Sequence, residues 1–165
     1  MSIQIIKNVL SKKEYSLVND MMNSEYFPWY YNNYKIDEDK QLYHYQLTHL
    51  FYDKEKINSD WFKFLQPLFK KLKIKNLLKV KANLNPISQE LVEFNNHKDK
   101  PLGKNNYSII YYINTNNGYT QIGNKKIKSK ANQAVCFLSD TFHYGTNSTN
   151  CNNRMVLNII YKKEH

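Results

Sequence analysis

The sequence predicts a mainly β domain, a double-stranded β-helix or jelly roll, with two supporting helices ahead of it. Three observations point there. After Lys75 the apolar period changes to two, and with an earlier strand over 42–51 the chain offers about eight short strands. Asparagine-rich turns separate those strands, in a chain with only 4 glycines. Helical spacing of three and four occurs only before Lys75. One domain over 1–165 is expected, with 1–76 as helical and aromatic support and 77–165 as the β core. Hydrophobic content of 41%, with 14 tyrosines and 8 phenylalanines to fill a core, excludes a disordered chain.

Taken in order, Ser11-Lys12-Lys13-Glu14 is a capping box, with Leu10 and Tyr15 placed for a hydrophobic staple. A helix over 12–22 follows, presenting Tyr15, Val18, Met21 and Met22 on one face. The segment 26–33 is aromatic and interrupted by Pro28, so it is neither a regular helix nor a central strand. It reads equally as a core-covering loop or as the rim of a substrate pocket. Asp37-Glu38-Asp39-Lys40 is a charged turn, and alternation over 42–51 predicts a strand. His44 and His49 lie on opposite faces of that strand, so they cannot share a metal and are expected to be surface or hydrogen-bonded histidines. Asn58 or Ser59 caps a second helix carrying Trp61, Leu65, Leu68, Phe69 and Leu72. Pro67 within it implies either a later start or a kink.

The predicted strands then run over 78–85, 88–95, 106–113, 119–122, 126–128, 134–139 and 155–161. Asn116-Asn117-Gly118 has the composition of a hairpin turn, which would pair 119–122 back onto 106–113. Gly123-Asn124 makes a second tight turn.

The net charge of +10 raises the question of a polyanion partner, but lysine and asparagine are abundant throughout, and a compositional bias of that kind makes a chain basic without one. The densest run, Lys70, Lys71, Lys73, Lys75, Lys79 and Lys81, reads as a solvated helix face and strand edge, with a phosphate-tracking patch as the alternative. No segment has the features of a signal peptide or a membrane span. The 2 cysteines, Cys136 in an apolar strand and Cys151 in a polar loop, fit reduced thiols better than a disulfide framework. A cytoplasmic protein is expected.

His97 and Asp99 stand two residues apart at the end of a predicted strand, so both side chains leave the same face. With His143 from a distant strand they form a 2-His-1-carboxylate face, the donor set that holds ferrous iron and leaves coordination positions open. Arg154 is the sole arginine among 24 basic residues. A planar, bidentate grip on a carboxylate is what a guanidinium offers and an ammonium does not. Taken singly, His97 also reads as a turn histidine with Asp99 as its cap, His143 as a loop residue and Arg154 as a surface charge. Asp140 reads as a turn acid rather than a partner of His143.

The H-x-D at 97 and 99, the segment from His143 to Arg154, and Tyr111-Tyr112-Ile113-Asn114-Thr115-Asn116-Asn117-Gly118-Tyr119-Thr120 together resemble the iron(II)- and 2-oxoglutarate-dependent oxygenases, in particular their prolyl-4-hydroxylase-like branch. The resemblance covers 77–161, and Phe27-Pro28-Trp29-Tyr30-Tyr31 extends it toward the N-terminus. It implies His97, Asp99 and His143 as iron ligands and Arg154 and Tyr112 as partners of the distal carboxylate of 2-oxoglutarate. Asn158, with Asn83 or Asn85, would lie on the co-substrate side. It implies iron(II), 2-oxoglutarate and dioxygen as cofactor and co-substrates, with ascorbate as a candidate reductant. The implied reaction hydroxylates a C–H bond and releases succinate and CO2, on a peptidyl substrate, prolyl among the candidates, or on a small amino-acid-like molecule. Nucleic-acid base repair is less favoured, because the repair oxygenases usually carry a second arginine after the co-substrate arginine. A non-catalytic, cupin-like metal-binding jelly roll is the competing reading.

Overall fold

The computed structural model describes residues 3–32 and 45–164. Eleven strands and two α-helices are found among them. β1 (Gln4–Lys7), β2 (Tyr30–Asn32), β3 (Gln46–Asp53), β4 (Lys56–Ile57), β5 (Asn76–Pro86), β6 (Asn106–Tyr112), β9 (Gln133–Leu138) and β11 (Asn153–Lys162) form one large antiparallel sheet. Its order is β1-β9-β6-β11-β5-β3-β2, with β4 paired to β3. β7 (Tyr119–Ile122), β8 (Lys125–Lys128) and β10 (His143–Gly145) form a small sheet in the order β10-β7-β8. This is the predicted jelly roll.

Helix α1 spans Lys12–Asn23 and opens on the predicted capping box, in which the Glu14 backbone N–H donates to Ser11 Oγ and the Ser11 backbone N–H donates to the Glu14 carboxylate. Its buried face is Val18, Met21 and Met22. The second predicted helix divides. A 3-10 turn over Asp60–Leu65 is capped by Ser59, and α2 (Gln66–Lys71) then begins with Pro67 in its first turn. The proline therefore starts a helix, where its missing N–H has no partner to lose.

Both helices cover one face of the large sheet. Met155, Leu157 and Ile159 of β11 pack there with Val80 and Ala82 of β5, Ile109 and Tyr111 of β6, and the helix residues Val18, Met22, Leu68 and Phe69. Burying an aliphatic or aromatic side chain of this kind contributes roughly 1.5–3 kcal/mol. The alternate residues of the same strands face the small sheet, where Ile110, Tyr112, Val135, Phe137 and Val156 meet Ile122 and Ile127. Cys136 and Cys151 are free thiols, as expected.

Four expectations change. Residues 119–122 do not pair back onto 106–113; β7 pairs with β8 and β10. β6 already has β9 on one edge and β11 on the other, so no edge remains for β7. The chain between them crosses from one sheet to the other. Residues 88–95 form no regular strand: around this stretch the pairing is reduced to isolated bridges at Ile87, Glu93 and His97 and to single backbone hydrogen bonds from Ser88 and Phe94. The Asn147 side chain supplies contacts that a ladder would have made, accepting from the Val92 N–H and donating to the Glu90 carbonyl. β1 is an edge strand that the sequence pattern misses, because three of its four residues are exposed and no alternation results. Finally, Lys79 and Lys81 lie on the face of β5 turned toward the small sheet, unlike the exposed Lys70, Lys71, Lys73 and Lys75.

In the aromatic segment, Phe27 is buried against Trp29, His49, Phe51 and Trp61, whereas Tyr30 and Tyr31 are exposed on edge strand β2. His49 is a hydrogen-bonded core histidine, with Nδ1 2.7 Å from the Pro28 carbonyl and Nε2 2.8 Å from Ser59 Oγ. His44 and the Asp37–Lys40 turn lie outside the described residues.

Candidate active site

The stretch 87–99 runs beside the loop and short strand that carry 139–148. His97 and His143 form an antiparallel bridge in which each backbone N–H donates to the other's carbonyl at 2.9 Å. The Asp99 N–H donates to the Ser139 carbonyl at 3.1 Å. These backbone bonds bring the three side chains together. One ligand atom from each of His97, Asp99 and His143 lies within 4.8 Å of the others. His143 Nε2 is 3.5 Å from Asp99 Oδ2, and His97 Nε2 is 3.9 Å from Asp99 Oδ1.

The two imidazoles are oriented alike. His97 Nδ1 sits 2.9 Å from the Asn95 carbonyl and His143 Nδ1 3.0 Å from the Thr141 carbonyl, each two residues back along the chain. Donation from Nδ1 to a carbonyl leaves Nε2 as a lone pair, and both Nε2 atoms point at the Asp99 carboxylate. Burial lowers the pKa of His143 against an opposing pull from Asp99, which favours the neutral imidazole that a metal needs. His143 is buried and His97 exposed, so the cluster sits at the edge of the inter-sheet space. Two neutral nitrogens and a carboxylate converging this way suit a divalent transition metal with open positions.

Arg154 occupies the interior proper, only 3% exposed. Its Nε donates to Ser129 Oγ at 2.7 Å, Nη1 to the Thr146 carbonyl at 3.2 Å and Nη2 to Thr120 Oγ1 at 3.0 Å. None of these partners is charged. A guanidinium has five N–H donors, so one on each terminal nitrogen remains unused among the described residues. Burial pushes the Arg154 pKa down to about 10, far enough above neutrality for the charge to persist. A buried cation without a counter-ion costs several kcal/mol, a cost that a bound anion would offset. Tyr112 OH donates to the same Thr120 Oγ1 at 2.9 Å, and its ring lies 5.7 Å from the guanidinium carbon.

The guanidinium lies against the short strand that carries His143. A Cβ on Gly145 would lie 3.4 Å from Arg154 Nη1, and Gly145 follows His143 by two residues in β10. Two residues of extended chain span about 7 Å, a separation that a five-carbon diacid bridges. Gly118 makes room on the other side: a Cβ there would come within 2.6 Å of Arg154 Cδ and 2.8 Å of Asn116 Oδ1, and would also strike the Asn147 carbonyl. Gly118→Ala is therefore expected to destabilise the protein by about 1–3 kcal/mol, measured as a lower denaturant midpoint with an unchanged slope.

The remaining sequence candidates fall on the same inward face. Asn85 pairs in register with Arg154 and accepts from Gln46 Nε2 at 2.9 Å, so it is part of the packed wall. Asn83 and Asn158 differ: their side-chain oxygens are buried and have no hydrogen-bond partner among the described residues. Asp140 is an exposed turn residue, as expected. Thr120, Ser129 and Gly118, which build the guanidinium's cradle, were missed by sequence reasoning. Only the alternation around Thr120 could have suggested one of them.

No family model matches the chain, and no curated protein matches it. Solved structures do. A prolyl hydroxylase in complex with a hypoxia inducible factor peptide fragment, from Trichoplax adhaerens, is 15% identical with a TM-score of 0.65, covering 97% of this chain and 83% of that one. The chain shares its fold. A Pseudomonas putida prolyl-4-hydroxylase is 10% identical with a TM-score of 0.59, covering 98% and 92%. The epimerase SnoN in complex with Fe3+, alpha ketoglutarate and nogalamycin RO is 11% identical with a TM-score of 0.64, covering 98% and 78%. The jelly roll common to these enzymes is thus present here over nearly the whole chain.

Proposed function

We propose that the protein is an iron(II)- and 2-oxoglutarate-dependent oxygenase that hydroxylates a C–H bond. The observation that carries this reading is a buried, uncompensated guanidinium one short strand away from two histidines and an aspartate whose donor atoms converge. The fold shared with 2-oxoglutarate enzymes supports it. A metal-binding module without turnover gives no reason to keep Arg154 charged and free of carboxylate partners in the interior.

In this reading His97, Asp99 and His143 hold iron(II), and the carbonyls of Asn95 and Thr141 lock both imidazoles in the metal-binding tautomer. Arg154 pairs with the distal carboxylate of 2-oxoglutarate through its two unused N–H groups, and Tyr112 helps to hold that end. Thr120, Ser129 and the Thr146 carbonyl keep the guanidinium aimed. The apolar contacts of Ile110, Val135, Phe137 and Val156 exclude water from the space between the sheets. When bound, iron(II) supplies dioxygen activation: one oxygen atom goes into succinate as 2-oxoglutarate loses CO2, and the other becomes the hydroxyl of the product. The structural neighbours are in complex with a peptide fragment in one case and with a small molecule in another. A peptidyl or small amino-acid-like substrate fits a chain of this size.

Anaerobic addition of iron(II) and 2-oxoglutarate tests the reading. A weak visible charge-transfer band is expected, together with succinate release once air is admitted. A flat spectrum from folded protein would rule the oxygenase out.

A further inference from the structure

The inward face of β5 reads Lys79, Lys81, Asn83, Asn85, opposite Ile160, Asn158, Val156 and Arg154 of β11. Of these, Asn85 is the register partner of Arg154. Lys81 lies four residues from Asn85, so about 13 Å along the strand from the guanidinium's register position. That is too far for one small diacid to satisfy both cations by its distal carboxylate.

Lys81 is half-buried, with Asn158 across from it on one side and Leu50 on the other. No carboxylate reaches ion-pair distance of it among the described residues. Burial and the nearby Lys79 both work against its charge, and the field of Asp99 works for it. A groove of about 760 Å³ includes Lys79 of this face in its lining, with Leu77, Leu78, Lys100, Pro101, Leu102 and the turn Asp53-Lys54-Glu55. Beside Lys81, the Asn83 and Asn158 side-chain oxygens are buried acceptors without donors, and Asn83 is only 7% exposed. An orphaned buried acceptor is costly and calls for a donor. 2-Oxoglutarate brings carboxylates and a ketone, which are acceptors only, so it does not meet that need.

Building on the oxygenase reading, we propose that Lys81 is the specificity-determining residue of the site and selects a substrate of the free amino-acid class. It grips the substrate carboxylate, while the Asn83 and Asn158 side-chain oxygens accept from the N–H group.

The test measures substrate-stimulated succinate release by the full chain loaded with iron(II) and 2-oxoglutarate. The probes are the proteinogenic L-amino acids, each paired with its carboxamide. At least one free acid is expected to stimulate release tenfold or more above its amide. Lys81→Met is expected to raise the KM for that acid at least tenfold, with Lys81→Arg restoring much of it. The charge-transfer band, which reports 2-oxoglutarate binding and correct folding, should titrate as in the wild type. Equal stimulation by acid and amide overturns the proposal, as does silence across the panel. So does a Lys81→Met variant that loses 2-oxoglutarate affinity instead, because Lys81 would then serve the co-substrate. Absence of the band in the wild-type protein is a different failure: it removes the oxygenase reading itself.

Discussion

His143→Ala is expected to abolish both the charge-transfer band and succinate release while leaving the protein folded. The backbone bridge between residues 97 and 143 uses only N–H and C=O groups, and alanine keeps both. What is lost is one of three donor atoms, the one closest to the carboxylate at 3.5 Å. Removing groups that merely orient a ligand weakens metal sites roughly 10- to 100-fold, so deletion of a ligand should exceed that. The variant also vacates a buried position against the Phe137 ring, whose centroid lies 4.8 Å away. A stability loss of about 1–3 kcal/mol should accompany it. Iron titration under anaerobic conditions, with circular dichroism to check folding, reads both effects. A variant that retains wild-type iron affinity would remove residue 143 from the metal site.

Arg154→Lys is expected to weaken 2-oxoglutarate binding about 10- to 100-fold, or about 1.4–2.7 kcal/mol at 1.36 kcal/mol per tenfold, while leaving iron binding intact. Charge is conserved, so the effect isolates geometry. The guanidinium reaches Ser129, Thr120 and the Thr146 carbonyl at once and still keeps an N–H on each terminal nitrogen. An ammonium has three donors and no planar fork. It must leave either a cradle acceptor or the carboxylate short of a partner. The measurement is the 2-oxoglutarate titration of the band, with iron affinity as the control. Unchanged 2-oxoglutarate affinity would take Arg154 out of its assigned role. Loss of iron affinity would instead mean that the two halves of the site are not separable.

Local chemistry was readable wherever it acts over a few residues. Ser11 and Glu14 announce α1 because a capping box is closed within four residues. Pro67 left a later helix start or a kink open, and the structure takes the start. The spacing of His97 and Asp99 and the singularity of Arg154 are plain in the chain, whereas the meeting of His97 and Asp99 with His143 was an expectation of the resemblance. The hairpin expected at Asn116–Gly118 shows the limit of such reasoning. Turn composition reports that the chain reverses, but β6 has both edges occupied, and edge occupancy is a property of strands remote in sequence.

Periodicity in β5 carried the same limit into the site. Alternation of Leu78, Val80, Ala82 and Leu84 with Lys79, Lys81, Asn83 and Asn85 establishes from the residues alone that the strand has two unlike faces. It does not say which face meets water. The polar face reads as solvated on its own, because lysine and asparagine are cheap to hydrate and costly to bury. Packing assigned the faces: the helices took the apolar side, and the small sheet closed over the polar one. Residue types thus decided the helices, the strand periods and the set of possible metal and anion ligands. The enclosure of Lys81, Asn83 and Arg154 depended on two sheets facing each other, because burial belongs to the neighbours a residue acquires and not to the residue.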